Sequence, residues 1–138
     1  MPVIRRVLET VLYCDDLAHT ARFYRRLLGG ADPLVDSDRM VALDAGSATV
    51  LLLFQRGATT TPLVTPGGTI PPHDGVDTGH VAFAVDEASL PEWEAVLREL
   101  DVVVESVVTW ERGGRSLYFR DPDGRSVELA TPGTWPTY

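Results

Sequence analysis

The chain has 138 residues, 44% of them hydrophobic, and carries a formal net charge of −8. A chain of this length and apolar content can fold as one compact domain that buries about 68% of its unfolded surface. The acidic charge, with no run of Lys and Arg, argues against nucleic acid or an anionic membrane as partner. No apolar stretch approaches the roughly 18 residues of a membrane span, and no signal-peptide pattern opens the chain. We therefore predict a cytoplasmic protein.

The first half of the chain has the pattern of a strand, a helix and two further strands. The predicted elements are a strand over 7–14, an amphipathic helix from Leu17 to the Gly29-Gly30 pair, and strands over 39–43 and 49–55. Asp15 and Asp16 offer carboxylates to cap the exposed amides at the start of the helix. Cys14 is the only cysteine, so no disulfide framework exists, and its apolar strand predicts a buried, unreactive thiol.

The second half repeats the same order of elements. GHVAFAVDEASLPEWEAVLREL, from Gly79, echoes LETVLYCDDLAHTARFYRRLLG, from Leu8: each is an apolar strand, an acidic pair and an amphipathic helix. Ser89 and Glu92 have the spacing of a capping box. The remaining predicted strands cover 102–108, 115–120 and 125–130. A duplicated unit has an internal groove between its copies, and we expect a ligand to bind there.

Residues 56–78, between the two copies, are rich in Thr, Pro and Gly. This composition predicts no regular element and indicates a crossover linker, a loop that covers a ligand, or both. His73 lies in this segment and could close over a cleft, but a solvated loop histidine is the favoured interpretation. His19 is expected to face solvent on the first helix.

Three ionisable side chains interrupt the predicted strands: Glu9, His80 and Glu128. Because side chains alternate along a strand, all three fall on the face away from the helices. Two carboxylates and an imidazole in an enclosed cavity require a compensating positive group, and Mn, Fe, Ni, Co or Zn would accept these ligands. The alternative is that each side chain is solvated or paired with an arginine. The pattern predicts a metal site and leaves this alternative open.

Three segments of the chain together carry a family resemblance: VLYCDDLAHTARFYRRLLGG from Val11, GHVAFAVDE from Gly79 and RSLYFRDPDGRSVELATP from Arg115. They resemble the vicinal oxygen chelate superfamily, which includes glyoxalase I, bleomycin resistance proteins and extradiol dioxygenases. The resemblance implies an α+β fold in which paired βαβββ modules form a curved mixed sheet around a cleft. It implies one domain over 1–138, with modules at about 5–56 and 78–132, and a linker at about 57–77. It also implies metal ligands at Glu9, His80 and Glu128.

The chain departs from the family pattern in its ligands. Many members have histidine where Glu9 stands, which weakens an extradiol dioxygenase assignment. Relatives such as glyoxalase I and methylmalonyl-CoA epimerase use a fourth ligand from the last strand of the first module, where this chain has only Val50 to Leu53. Three ligands would leave coordination positions open to a substrate that chelates through adjacent oxygens.

These features predict a divalent-metal-dependent enzyme of lyase, isomerase or dioxygenase type that acts on a small molecule. The alternative is a bleomycin-resistance-like binding protein that sequesters an antibiotic or another small molecule without catalysis. A homodimer is expected in either case, because each unit leaves sheet edges open.

Tyr118 and Arg115 are the candidate catalytic side chains beside the metal. Tyr118 shares the face of Glu128 only if the turn of Asp121 to Gly124 carries an extra residue, which Gly124 can supply in a left-handed conformation. The alternative for Tyr118 is a structural cross-strand contact. Arg115 could bind a substrate anion, although solvation beside Glu111 is the favoured interpretation.

Overall fold

The computed structural model describes residues 1, 4–76 and 78–138. These residues form two compact units, Met1–Asp77 (unit one) and Thr78–Tyr138 (unit two). Each unit contains a four-stranded mixed sheet and an α-helix, so the predicted α+β class is confirmed. No helix of the described residues is long and apolar enough to cross a membrane.

Unit one contains, in order, β1 (Glu9–Cys14), α1 (Leu17–Leu27), β2 (Val35–Asp36), β3 (Met40–Asp44), β4 (Val50–Gln55), β5 (Leu63–Thr65) and β6 (Gly68–Ile70). The order in its main sheet is β1-β4-β3-β2, with β1 parallel to β4. The predicted cap of α1 is confirmed, because Oδ1 of Asp16 accepts a hydrogen bond from the His19 amide at 3.0 Å. The predicted end is also confirmed, since Gly29 and Gly30 follow the helix with φ of 91° and 81°.

The two faces of the first sheet differ in burial. Leu12 and Cys14 of β1 are buried, at 7% and 0% exposed. Tyr24 and Leu27 of α1 are also buried, at 0% and 3% exposed. Apolar strand residues and the stripe of the amphipathic helix thus form the core of this unit. Glu9 lies on the opposite face of β1, as predicted.

The segment after β4 differs from its prediction. It was expected to form no regular element, yet β5 and β6 pair as an antiparallel hairpin. The apolar, β-branched residues on either side of Pro66-Gly67 explain this, because a Pro-Gly turn between such residues favours strand pairing. The hairpin closes at a neck where the His73 amide donates to the Thr59 carbonyl at 2.9 Å and the Thr59 hydroxyl donates to the His73 carbonyl.

The neck brings His73 against the first sheet. The Tyr13 hydroxyl and Nδ1 of His73 are 2.6 Å apart, and the imidazole meets the Phe54 ring edge-on at 4.8 Å. Two residues after His73, the Gly75 carbonyl accepts a hydrogen bond from the Arg56 guanidinium, which holds this part of the loop. The expectation of a solvated His73 is therefore wrong, while His19 is exposed as predicted.

Unit two contains β7 (His80–Ala84), a 3-10 turn (Glu87–Ser89), α2 (Leu90–Glu99), β8 (Ser106–Thr109), β9 (Arg115–Arg120) and β10 (Ser126–Ala130). Its strand order is β7-β10-β9-β8, with β7 parallel to β10. The predicted capping box is wrong, because the Ser89 side chain makes no cap hydrogen bond. The 3-10 turn redirects its hydroxyl, which donates to the Asp86 carbonyl at 2.6 Å.

The turn between β9 and β10 sets the register of the last two strands. Ser126 pairs with Arg120, so five residues, 121–125, make the connection. Gly124 adopts the left-handed conformation with φ of 79°. The Asp121 carboxylate accepts from the Arg125 amide at 2.9 Å and forms a buried ion pair with its guanidinium. This register places Tyr118 directly opposite Glu128 and confirms the expected extra residue in the turn.

Candidate functional site

The candidate site in unit two is built on two neighbouring parallel strands. His80 of β7 pairs in register with Ser126 of β10, and Glu128 lies two residues farther along β10. Both ionisable side chains therefore lie on one face of the sheet, as strand alternation predicted. Nε2 of His80 is 3.2 Å from Oε2 of Glu128, and the Glu128 residue is only 7% exposed.

The hydrogen bond made by Nδ1 of His80 determines whether Nε2 presents a lone pair. Nδ1 is 3.0 Å from the backbone carbonyl of Ser126. A carbonyl oxygen only accepts hydrogen bonds, so Nδ1 carries the proton and a neutral His80 presents a lone pair at Nε2. That lone pair faces a carboxylate oxygen. A cation bound between the two atoms would accept the lone pair and neutralise the carboxylate.

The other carboxylate oxygen of Glu128 is already occupied by protein donors. Oε1 accepts hydrogen bonds from the Ser116 hydroxyl at 2.5 Å and from the Tyr118 hydroxyl at 3.0 Å. The carboxylate is thus held with Oε2 alone turned towards His80. Ser116 was not among the predicted site residues.

These contacts fit a divalent metal ion. Two ligand atoms that are each about 2.1 Å from one ion lie about 3 Å apart, close to the separation of Nε2 and Oε2. A histidine that donates its other ring nitrogen to a backbone carbonyl is the usual state of a metal-binding imidazole. His80 and Glu128 therefore match the donor set that Mn, Fe, Co, Ni or Zn accepts.

Glu9, the third predicted ligand, belongs to unit one and is exposed at the first position of β1. It pairs in register with Val50 of β4. No group of three or more His, Cys, Asp or Glu side chains is placed to hold a metal ion among residues 1, 4–76 and 78–138. Glu9 as a ligand stays a prediction.

Tyr118 lies beside both candidate ligands. Its ring stacks on the His80 imidazole with centroids 6.2 Å apart and an interplanar angle of 24°. Partial burial raises the pKa of Tyr118 above its ordinary value, and the hydrogen bond to Glu128 raises it further. Tyr118 is therefore a protonated hydrogen-bond donor at neutral pH.

Arg115 lies apart from this group. Strand alternation places it on the face of Leu117 and Phe119, opposite to the face that carries Tyr118 and Glu128. Its amide donates to the Thr131 hydroxyl at 2.9 Å, which fixes the start of β9. The structure does not bring Arg115 to the candidate ligands, and its predicted role in binding a substrate anion stays untested.

Unit one holds a cavity of about 580 Å³. Its lining includes Leu17 and Ala21 of α1, Val41 of β3, and the charged side chains of Arg22 and Asp38. None of the predicted site residues lines it.

Comparison with known proteins places this chain in a family. The family model described as "Glyoxalase/Bleomycin resistance protein/Dioxygenase superfamily" matches residues 6–129. The chain belongs to this superfamily. The resemblance to vicinal oxygen chelate proteins inferred from three sequence segments is thereby confirmed.

Individual superfamily proteins resemble the chain to different extents. The crystal structure of lactoylglutathione lyase from Agrobacterium tumefaciens is 32% identical, covers 95% of this chain and 96% of its own, and superposes with a TM-score of 0.82. The metallothiol transferase FosB of Staphylococcus saprophyticus is 26% identical over 94% of this chain and 78% of its own length. FosB of Bacillus licheniformis is 43% identical over a shorter match, which covers 38% of this chain and 34% of that protein.

Proposed function

We propose that the protein is a divalent-metal-dependent enzyme in which His80 and Glu128 bind the ion, with Glu9 as the third ligand predicted from the sequence. The observation that carries the proposal is the 3.2 Å approach of Nε2 of His80 to Oε2 of Glu128. His80 is held by the hydrogen bond from Nδ1 to the Ser126 carbonyl. Glu128 is held by the hydrogen bonds that Oε1 accepts from Ser116 and Tyr118. This is the preorganised arrangement expected of metal ligands.

The bound ion would supply Lewis-acid stabilisation of negative charge that develops on a substrate oxygen. His80 and Glu128 orient the site, and three protein ligands leave room for two adjacent oxygens of the substrate. Tyr118 remains protonated and is close enough to both ligands to donate a hydrogen bond to a substrate oxygen bound there. Its hydroxyl would then exchange its bond to Glu128 for one to the substrate.

The names of two relatives support a proposal for the substrate class. One is named a lactoylglutathione lyase and another a metallothiol transferase. A reaction on a thiol, or on an adduct of a thiol and an oxygen-rich electrophile, is therefore the most specific proposal. The lack of a ligand in the segment that corresponds to the fourth ligand of glyoxalase I favours thiol transfer over the lyase reaction.

The test uses the purified protein after removal of metal. Mn, Co, Ni or Zn is added singly, and consumption of a low-molecular-weight thiol in the presence of an epoxide or an α-oxoaldehyde is followed. The proposal predicts turnover only with a metal, and loss of both turnover and bound metal in Glu128→Gln. The matched control is Glu94→Gln on the exposed side of α2.

Equal metal content in Glu128→Gln and the parent would contradict the ligand assignment. Tight binding of a hydrophobic or glycopeptide antibiotic by the metal-free protein, without turnover, would favour the alternative of sequestration. In that case Glu128→Gln should change antibiotic affinity by no more than a factor of a few, because apolar contacts and stacking dominate such binding.

A further inference from the structure

A chain of donors runs from the turn between β8 and β9 to the Glu128 carboxylate. The indole Nε1 of Trp110 donates to the Ser116 hydroxyl at 2.8 Å, and that hydroxyl donates to Oε1 of Glu128 at 2.5 Å. We infer that Trp110 and Ser116 are positioning residues that hold Glu128 so that it binds a cation through Oε2 alone. This inference rests on the proposed function of Glu128 as a ligand.

The direction of the chain follows from the chemistry of its members. An indole nitrogen can only donate, so the Ser116 oxygen must accept from Trp110. The single hydroxyl proton of Ser116 is then free to point at Glu128. Without Trp110 the Ser116 hydroxyl could rotate towards another acceptor. The indole therefore orients the Ser116 hydroxyl directly, and it affects the Glu128 carboxylate only through that hydroxyl.

The turn that carries Trp110 is closed by backbone hydrogen bonds. The Trp110 amide donates to the Gly114 carbonyl at 2.7 Å, and the Gly113 amide donates back to the Trp110 carbonyl at 2.9 Å. Gly114 packs directly on the C-terminal segment, where a Cβ atom would lie 2.3 Å from the Thr134 backbone nitrogen. The indole is therefore presented to Ser116 from a hydrogen-bonded, packed turn, although the residue is 38% exposed.

The consequence concerns which ions the site selects. With two donors on Oε1, the carboxylate has one oxygen left for a ligand bond. Small transition ions accept single carboxylate oxygens, whereas Ca²⁺ favours more ligands and often takes a carboxylate through both oxygens. Trp110 and Ser116 thus favour Mn²⁺ or Zn²⁺ over Ca²⁺ at a site that has otherwise ordinary ligands.

The test measures dissociation constants rather than activity. Mn²⁺ binding to the metal-free protein is followed by electron paramagnetic resonance, and Ca²⁺ binding by its competition with Mn²⁺. Ser116→Ala should weaken Mn²⁺ binding about tenfold, the usual cost of losing a hydrogen bond to a ligand, and should weaken Ca²⁺ binding less. The ratio of the Ca²⁺ to the Mn²⁺ dissociation constant should therefore fall.

Trp110→Phe should change the same ratio in the same direction by a few fold. Because Trp110 acts through Ser116, the double variant should match Ser116→Ala, and the two effects should not add. Trp135→Phe is the matched indole control, since Trp135 is 67% exposed. Thr20→Val removes a buried hydroxyl from α1 in unit one and controls for loss of stability alone.

Unchanged Mn²⁺ and Ca²⁺ constants in both Ser116→Ala and Trp110→Phe, with binding by the parent intact, would overturn this inference and leave the proposed function standing. Additive effects in the double variant would overturn the role of Trp110 through Ser116. Absence of Mn²⁺ binding by the parent would overturn the proposed function and this inference with it. If Ser116→Ala does not fold, Trp110→Phe carries the same comparison from a surface turn.

Discussion

Tyr118 and Glu128 stand directly opposite each other on β9 and β10, with the phenol oxygen 3.0 Å from Oε1 of the carboxylate. The register that pairs them depends on the five-residue turn 121–125. One residue fewer in that turn would move Tyr118 to the other face of the sheet. The turn therefore sets the geometry of the candidate site in unit two.

Metal should stabilise the fold. At a free concentration about 100 times its dissociation constant, a bound ion is expected to raise the free energy of unfolding by roughly 2.7 kcal/mol. For a domain of this size, that corresponds to a melting shift on the order of 5 to 10 °C in differential scanning calorimetry. A chelator should reverse the shift, and Glu128→Gln should abolish it.

The same measurement tests Glu9. If Glu9 is a ligand, Glu9→Gln should remove the thermal response to metal as Glu128→Gln does. Glu94→Gln, on the exposed side of α2, should keep the full response. A parent protein whose melting is indifferent to both chelator and metal would argue against the metal site as a whole.

Breaking the buried ion pair in the last turn should be costly. The Asp121 and Arg125 side chains are 0% and 2% exposed, so Asp121→Asn removes the charge nearest to a buried guanidinium. We expect a loss of about 3 kcal/mol in the free energy of urea unfolding. The exposed pair of Asp32 with Arg25 is the control, and Asp32→Asn should cost less than about 1 kcal/mol. Equal losses in the two variants would contradict the argument from burial.

The loop of unit one should loosen when Gly75 gains a side chain. A Cβ atom there would lie 2.5 Å from the Tyr13 ring, so Gly75→Ala must displace the ring or the loop. We expect faster proteolysis between β5 and β6 and faster amide exchange at His73, at a cost of about 1–3 kcal/mol. Gly67→Ala is the control, because no atom lies within 4 Å of its added Cβ. Identical cleavage rates in both variants would show that the contact does not hold the loop.

Tyr13 should make the protein sensitive to alkali. Burial raises its pKa, and the nearby Asp74 raises it further. The folded protein therefore holds the phenolic proton more tightly than the unfolded chain does. The resulting stability is complete below the ordinary tyrosine pKa of about 10 and is lost as the pH rises through the folded value. Tyr13→Phe should reduce the fall in unfolding free energy above about pH 10, as measured by urea titrations across that range. An unchanged slope would contradict the prediction.

A homodimer is expected because each unit, taken by itself, leaves the edges of its sheet without a pairing strand. In unit one the edge strands of the main sheet are β1 and β2, and in unit two they are β7 and β8. Folds cover such edges by pairing, most simply in a two-fold dimer. Light scattering at micromolar concentration should give twice the chain mass of 15.1 kDa. A mass of one chain would reject the dimer.

Much of the fold could be predicted from the sequence because its periodic patterns are strong. The alternation in β1 and the apolar stripe and caps of α1 depend only on neighbouring residues. The hairpin of β5 and β6 was missed because proline and glycine content outweighed the apolar residues beside the turn. The cap at Ser89 was mispredicted because a 3-10 turn before α2 changes the direction of its side chain, which spacing alone does not reveal.

The candidate site could be predicted in part for similar reasons. Alternation along β7 and β10 was enough to bring His80 and Glu128 to one face. Ser116 and Trp110 were missed. The face of Ser116 depends on the number of residues in the turn 121–125, and the direction of the Trp110 indole depends on the turn that ends at Gly114. Once the register is known, Ser116 follows from Tyr118, since residues two apart on a strand share a face.

Because of the neck at Thr59 and His73, the stability of the fold should depend little on the length of the hairpin between them. Its two hydrogen bonds close the segment at the base, so added residues near Pro66-Gly67 lengthen a loop whose ends are already joined. Doubling such a loop costs only about 0.6 kcal/mol in closure entropy. The tip is accordingly where natural insertions between relatives should accumulate, and where a peptide tag or a small reporter domain can be grafted with the least disturbance.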